Sequence, residues 1–270
     1  MSYVSPPDIQ CERSKRDGDF MDSSLHALLQ TIDANKAKLD AASPLPLHAL
    51  ESLRDALTLE WTYHANAIEG NTLTLAETKT VLGGMAVGGK TLREHFEALN
   101  QRDAIRYAEE IVGHNEALSE SQIRHIHGRV LKNIDDNEAG QYRRVNINID
   151  GASAALPDFS QLPVRMAGLI DWHAQAGAMH PVERAAELHA RFAKISPFVG
   201  GNGRIGRLLA NVELMKSGYP PAIIRQEDRA AYDEALDKAC GAGAYDAITR
   251  LTAEAVQRTL EAYLMLAKRD

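Results

Sequence analysis

Two cysteines, Cys11 and Cys240, are all that this chain of 270 residues contains. They stand far apart and share no metal-type spacing. That excludes a disulfide framework and a zinc ribbon, and it reads as reduced thiols in a cytoplasmic protein. Long apolar runs are missing too. Nothing approaches the ~18 residues of a membrane-spanning helix, and the polar N-terminus has no apolar stretch of the secretory type, so neither a membrane nor a secretion route is expected. There is no basic block: 30 Lys and Arg are interspersed with 37 Asp and Glu for a net charge of -7, which argues against nucleic acid as a partner. Metal spacing is absent as well. His125 and His127 stand two apart on an expected helix and point different ways, and Asp135-Asp136-Asn137-Glu138 lacks the spacing of an EF-hand loop. No metal site, Ser-His-Asp pattern, repeat or low-complexity tract is expected.

What is present is ordinary globular material, 44% hydrophobic and 25% charged, and long enough for a sizeable core. Residues 1–21 read as a loose lead-in and 22–270 as one domain. Apolar residues at helical spacing predict helices over 22–41, 47–68, a short one opened by Thr74-Leu75-Ala76-Glu77, then 91–112, 121–133, 162–175, 182–195, 202–217, 228–239 and 244–267. Pro44 and Pro46, Gly83-Gly84, Gly88-Gly89 and Gly218 punctuate them. One segment has a different period. Residues 144–149 alternate strictly, Asp150-Gly151 follows as a turn, and Ala154-Ala155-Leu156 comes next, which predicts a β-hairpin. The fold class expected is mostly α with one hairpin.

The stretch with the sharpest chemistry is Ile195-Ser196-Pro197-Phe198-Val199-Gly200-Gly201-Asn202-Gly203-Arg204-Ile205-Gly206-Arg207. It joins two amphipathic helices. Glycines let a ligand approach the backbone closely, and the loop opens a helix whose free N–H groups and dipole favour an anion. Arg204 and Arg207, three apart, reach the same side of the first turns, and guanidinium grips phosphate in a bidentate manner. Taken alone, the stretch also fits a plain helix–helix turn with two surface arginines.

The same stretch resembles the signature of the Fic (Fido) family, His-Pro-Phe-x-Asp/Glu-Gly-Asn-Gly-Arg-x-x-Arg. Pro197, Phe198, Gly201, Asn202, Gly203, Arg204 and Arg207 match it in register. Ala139-Gly140-Gln141-Tyr142-Arg143, Leu156-Pro157 with Met166, and Glu97-Ala98-Leu99-Asn100 fall in the family's usual order, so the resemblance spans about residues 58–240. It implies a Fic-type helical domain that binds ATP or another nucleotide and transfers AMP to a protein hydroxyl. By this resemblance Gly201, Asn202 and Gly203 take the α- and β-phosphates, with Asn202 also supporting the transferred one. Arg204 and Arg207 hold the β- and γ-phosphates, and Tyr232 is a candidate wall of the base pocket. The hairpin, about 144–156, is the family's flap, which docks a target protein by strand addition. The sequence is also compatible with a homo-oligomer.

Two positions depart from the pattern. Ser196 stands where the family has its catalytic His, and a serine hydroxyl is no general base near neutral pH. Gly200 stands at the acidic position that helps to hold Mg2+, and offers no ligand. Phosphate binding is therefore expected to outlast AMP transfer. A nucleotide-binding pseudoenzyme that acts by association, or altered chemistry on another phosphate-containing substrate, stays open beside weak transfer. His64, His95 and His189 are the histidines available as substitute bases. Upstream, Glu69-Gly70-Asn71 in the segment of about 58–71 resembles the inhibitory helix of Fic proteins, with Ala65 in place of its Ser/Thr. The resemblance implies that Glu69 pairs with Arg207 and competes with phosphate for it. Glu69 equally fits a solvated residue at a helix end.

Overall fold

The computed structural model describes residues 23–149 and 153–267. The lead-in with Cys11, and the Asp150-Gly151 turn, lie outside the described residues. Among these the chain forms ten α-helices: α1 (Ser23–Ala41), α2 (Leu47–Ile68), α3 (Leu75–Leu82), α4 (Leu92–His114), α5 (Glu120–Leu131), α6 (Leu162–Gln175), α7 (Pro181–Ile195), α8 (Asn202–Lys216), α9 (Arg229–Ala242) and α10 (Asp246–Ala267). Local chemistry explains where several start. Thr74 accepts from Glu77 N while the Glu77 carboxylate accepts from Thr74 N, and the same reciprocal box is formed by Thr91 with Glu94 and by Ser119 with Gln122.

Helices α7 and α8 form the inner wall. Leu188 and Phe192 of α7 join Leu208, Leu209 and Val212 of α8 in one apolar cluster with Trp61 of α2, Ile105 of α4, Ile126 of α5 and Met166 of α6. Ala186 and Ala190 of α7 and Leu214 of α8 join the second cluster, with Leu25 and Ile32 of α1, Tyr232 of α9 and Val256 and Leu260 of α10. Each fully buried Leu, Ile or Phe here contributes about 1.5–3 kcal/mol. Because both faces of α8 are covered, every residue from Arg204 to Leu214 is buried. The α7–α8 approach is close: a Cβ on Gly206 would stand 2.5 Å from the His189 ring.

The expected hairpin is not formed, and no strand occurs among the described residues. Val145 and Ile149 are exposed, so the alternation of 144–149 has no buried face to line. Two strands alone are marginal in water. The segment is held as a loop by side chains instead. The buried Arg143 guanidinium donates to the carbonyls of Val145 (3.0 Å), Pro157 (2.7 Å) and Ser196 (2.9 Å). Asn146 donates to Asp158 at 2.7 Å and accepts from Phe159 N at 2.9 Å. Carbonyls gathered by one guanidinium are not available for a ladder.

Candidate functional site

The α7–α8 junction is a tight loop. Ser196 ends α7 in the left-handed region at φ 41°, and Gly201 opens α8 at φ 76°. Asn202, the first residue of α8, folds back over the loop: its side chain accepts from Phe198 N (3.1 Å) and donates to Phe198 O (2.8 Å). Both ends of the amide are thereby committed to shaping the loop. Phe198 is fully buried, stacked on His127 with ring centroids 3.7 Å apart. The first backbone bond of α8 runs from Ile205 N to Gly201 O at 3.1 Å, so the N–H groups of 202–204 have no intrahelical acceptor and the helix dipole ends there.

The two arginines differ. Arg207 is 6% exposed and donates from its two terminal nitrogens to Glu69 Oε1 (2.8 Å), Ala65 O (3.1 Å) and Tyr232 OH (3.2 Å), while its Nε has no acceptor. Tyr232 turns its hydroxyl to His189 Nε2 at 3.0 Å. It therefore seats Arg207 from inside the core. Arg204 is 5% exposed and makes no hydrogen bond or ion pair with any described residue, and its Nε is buried without an acceptor. Burial pulls its pKa down, against the pull of Glu69 and Glu97. A buried cation without a partner costs several kcal/mol unless something neutralises it.

Glu69 follows the last turn of α2 and reaches over the start of α8. A Cβ on Gly203 would stand 2.5 Å from its Oε1, so a carboxylate already rests against the helix N-terminus between the two arginines. Burial works to raise the Glu69 pKa, but the charge and hydrogen bond of Arg207 outweigh it and leave the carboxyl below its ordinary value.

Ser196 is 1% exposed, and its Oγ donates to Ala193 O at 2.7 Å, turned into its own helix and away from the loop mouth. At Gly200 a Cβ would meet nothing within 4 Å, so the residue leaves open space and no side-chain oxygen. His64, His95 and His189, the histidines named as substitute bases, are each engaged elsewhere. His189 is sealed behind Arg207 and Tyr232, His64 accepts from Gln226 N at 3.1 Å, and His95 is tied to Val87 N and Thr91 O. The structure thus brings Gly201, Asn202, Gly203, Arg204, Arg207 and Glu69 together. It adds two residues that sequence reasoning passed over: Arg143, which holds Ser196 O, and His127, beneath Phe198. Arg143 lay in a quoted motif, whereas a single His on an amphipathic helix carries no signal of its own.

The Fic/DOC family model matches residues 117–214, the span from α5 through the loop to the last turn of α8. The chain carries a Fic/DOC domain. Among curated relatives, the protein adenylyltransferase Fic of Nematostella vectensis is 36% identical over 241 residues, 88% of this chain and 56% of that protein. The protein of the same name from Culex quinquefasciatus is 38% identical over 84% of this chain and 46% of its own length. The chain therefore spans about half the length of the curated relatives it matches. Solved structures share the helical Fic fold. A Fic domain containing signaling protein from Bacteroides thetaiotaomicron superposes with a TM-score of 0.81 at 29% identity, over 90% of this chain and 97% of that one. Fic-1 (residues 134–508) from C. elegans does so with 0.83 at 28% identity, over 92% and 74%. No helix among the described residues is long and apolar enough to cross a membrane.

Proposed function

We propose that this Fic domain binds ATP, with its phosphates at the N-terminus of α8, and that it belongs to the AMP-transferring class while lacking that reaction's general base. The observation that carries the reading is Arg204. It is a buried guanidinium without a partner, at a helix N-terminus with free N–H groups, and next to Arg207, which already holds a carboxylate. An anion with several oxygens is the ligand that satisfies all three features. The name shared by the curated relatives, protein adenylyltransferase Fic, points to AMP transfer to a protein as the reaction. Glu69 acts here as a brake: it occupies Arg207 and places a negative charge where the γ-phosphate would lie.

Ser196 and Gly200 set the limits. With the Ser196 hydroxyl donating to Ala193 O, no group at that position takes a proton from an attacking hydroxyl, a deficit of about 10²–10⁴ in rate. Mg2+ would reach the site on the nucleotide, because Gly200 adds no oxygen to hold it. The orientation of Ser196 also favours a second reading, a nucleotide-binding protein that works by association. ATP labelled in its α-phosphate separates the two, given to the natural chain and to a Ser196→His, Gly200→Asp variant, each carrying Glu69→Gly so that the brake is absent from both. His is tolerated in the left-handed conformation that position 196 requires, and position 200 has room for a carboxylate. Label on protein from the variant alone places the natural chain in the second class. Label from both restores it to the transferases, and label from neither removes AMP transfer from the account.

A further inference from the structure

We propose that His127 is the positioning residue of the phosphate loop: a bridge from Gly140 to Gly200 that turns the Gly201 N–H toward the ligand side. The inference rests on the nucleotide reading above, and the geometry is specific. The imidazole is fully buried between the loop and the turn before Arg143. Gly140 N donates to His127 Nδ1 at 2.8 Å, so the ring proton resides on Nε2, whose recorded partner is Gly200 O at 3.3 Å. A neutral ring in one tautomer therefore accepts on one side and donates on the other. Burial keeps it neutral, depressing its pKa to about 4 against the opposing pull of the Gly200 carbonyl.

The consequence follows from peptide planarity. In a trans peptide the C=O and the next N–H point in opposite directions. Holding Gly200 O inward on His127 points Gly201 N–H outward, to the side where the N–H groups of 202–204 are free. The left-handed φ of Gly201, and its approach to the same ring (a Cβ there would stand 3.9 Å from His127 Cδ2), fit a loop moulded on the imidazole. Gly140 is constrained on the far side of the bridge: its φ is 73°, and a Cβ would stand 3.1 Å from Arg124 O.

Three substitutions separate positioning from packing. His127→Phe keeps the stack on Phe198 and removes both hydrogen bonds. His127→Asn puts an amide at the Nδ1 place and can answer Gly140 only. His127→Gln puts an amide nitrogen at the Nε2 place and can donate to Gly200. The readouts are hydrogen exchange of the peptide covering residues 198–204 without ligand, and ATP affinity in a Glu69→Gly background, both on variants with native helix content. Phe and Asn should speed exchange and weaken ATP binding about tenfold each, the loss of one to two hydrogen bonds, with Gln within about threefold of the parent. Phe and Asn variants that exchange and bind like the parent overturn the proposal and make His127 a packed core residue, as does a Gln variant as impaired as Phe. If the Glu69→Gly parent binds no ATP, the nucleotide reading fails by itself. The exchange comparison then decides the bridge alone: unchanged exchange in Phe and Asn overturns it.

Discussion

Removing the Glu69 carboxylate should act in opposite directions on the free protein and on its complex. In the free protein Arg207 loses one charge-assisted bond of 2.8 Å and keeps those to Ala65 O and Tyr232 OH. Such a bond contributes about 1.5–3 kcal/mol when buried. The Glu69 side chain is 36% exposed, so solvent screens the pair, and about 1 kcal/mol is the better expectation, or about 2–4 °C in Tm for a chain of this size. In the complex, phosphate inherits a free guanidinium and no longer faces a carboxylate across it. Both effects favour the anion, together by about 1.4–3 kcal/mol, which is about tenfold to a hundredfold in Kd. Thermal unfolding without ligand and calorimetric titration with ATP measure the two sides. Glu69→Gly should melt lower and bind tighter, with Glu69→Gln between, because the amide still accepts from Arg207 but carries no charge. The depressed Glu69 pKa fixes the pH window. The pair's contribution is complete above the ordinary value of 4.5 and is lost only as pH falls through the lower folded value, so the affinity difference should be flat around neutral pH. A lower Tm with unchanged ATP affinity would refute the brake and leave Glu69–Arg207 as a structural pair.

Three other outcomes follow from the same geometry. Arg204→Ala should leave the Tm unchanged or raise it, because the guanidinium is buried without a partner, and a fall of several degrees in differential scanning calorimetry would mean that it has one. Gly206→Ala should cost about 1–3 kcal/mol in urea unfolding, since the new methyl meets the His189 ring at 2.5 Å in a wall that cannot spread; an unchanged midpoint would contradict that packing. Burial depresses His127 to about 4 and His189 to about 3 from an ordinary 6.5, so unfolding takes up two protons as pH falls through that interval. Stability is then full above 6.5 and lost toward 4, by about 4 kcal/mol between pH 7 and 5, and equal unfolding free energies at those two pH values would count against both burials.

The helices were legible because their grammar is local. Thr74 with Glu77, and Ser119 with Gln122, announce helix starts within four residues, and the structure forms both boxes as written. The loop between α7 and α8 was legible for the same reason: glycines, a helix start and two arginines lie within a dozen residues. The segment 144–149 misled because alternation is a local sign whose meaning depends on what covers it. Here a buried arginine gathers the neighbouring carbonyls, two of them from chain distant in sequence, and no face is covered. His127 was weighed only as a metal ligand, and its place beneath the loop was not legible. Its partners are Gly140 and Gly200, the second 73 residues away, and only the packing of α5 beneath Phe198 gives the ring its place. The pairing of Glu69 with Arg207 spans 138 residues, and resemblance alone pointed to it before the structure brought the two together.

Calorimetric titration of the purified chain with ATP, with and without Mg2+, and in parallel on Arg204→Ala, tests the central claim most directly. The account predicts binding to the natural chain, tightened by Glu69→Gly and abolished by Arg204→Ala in a protein that remains folded. Silence from both the natural chain and Glu69→Gly, or binding that Arg204→Ala leaves intact, would contradict it.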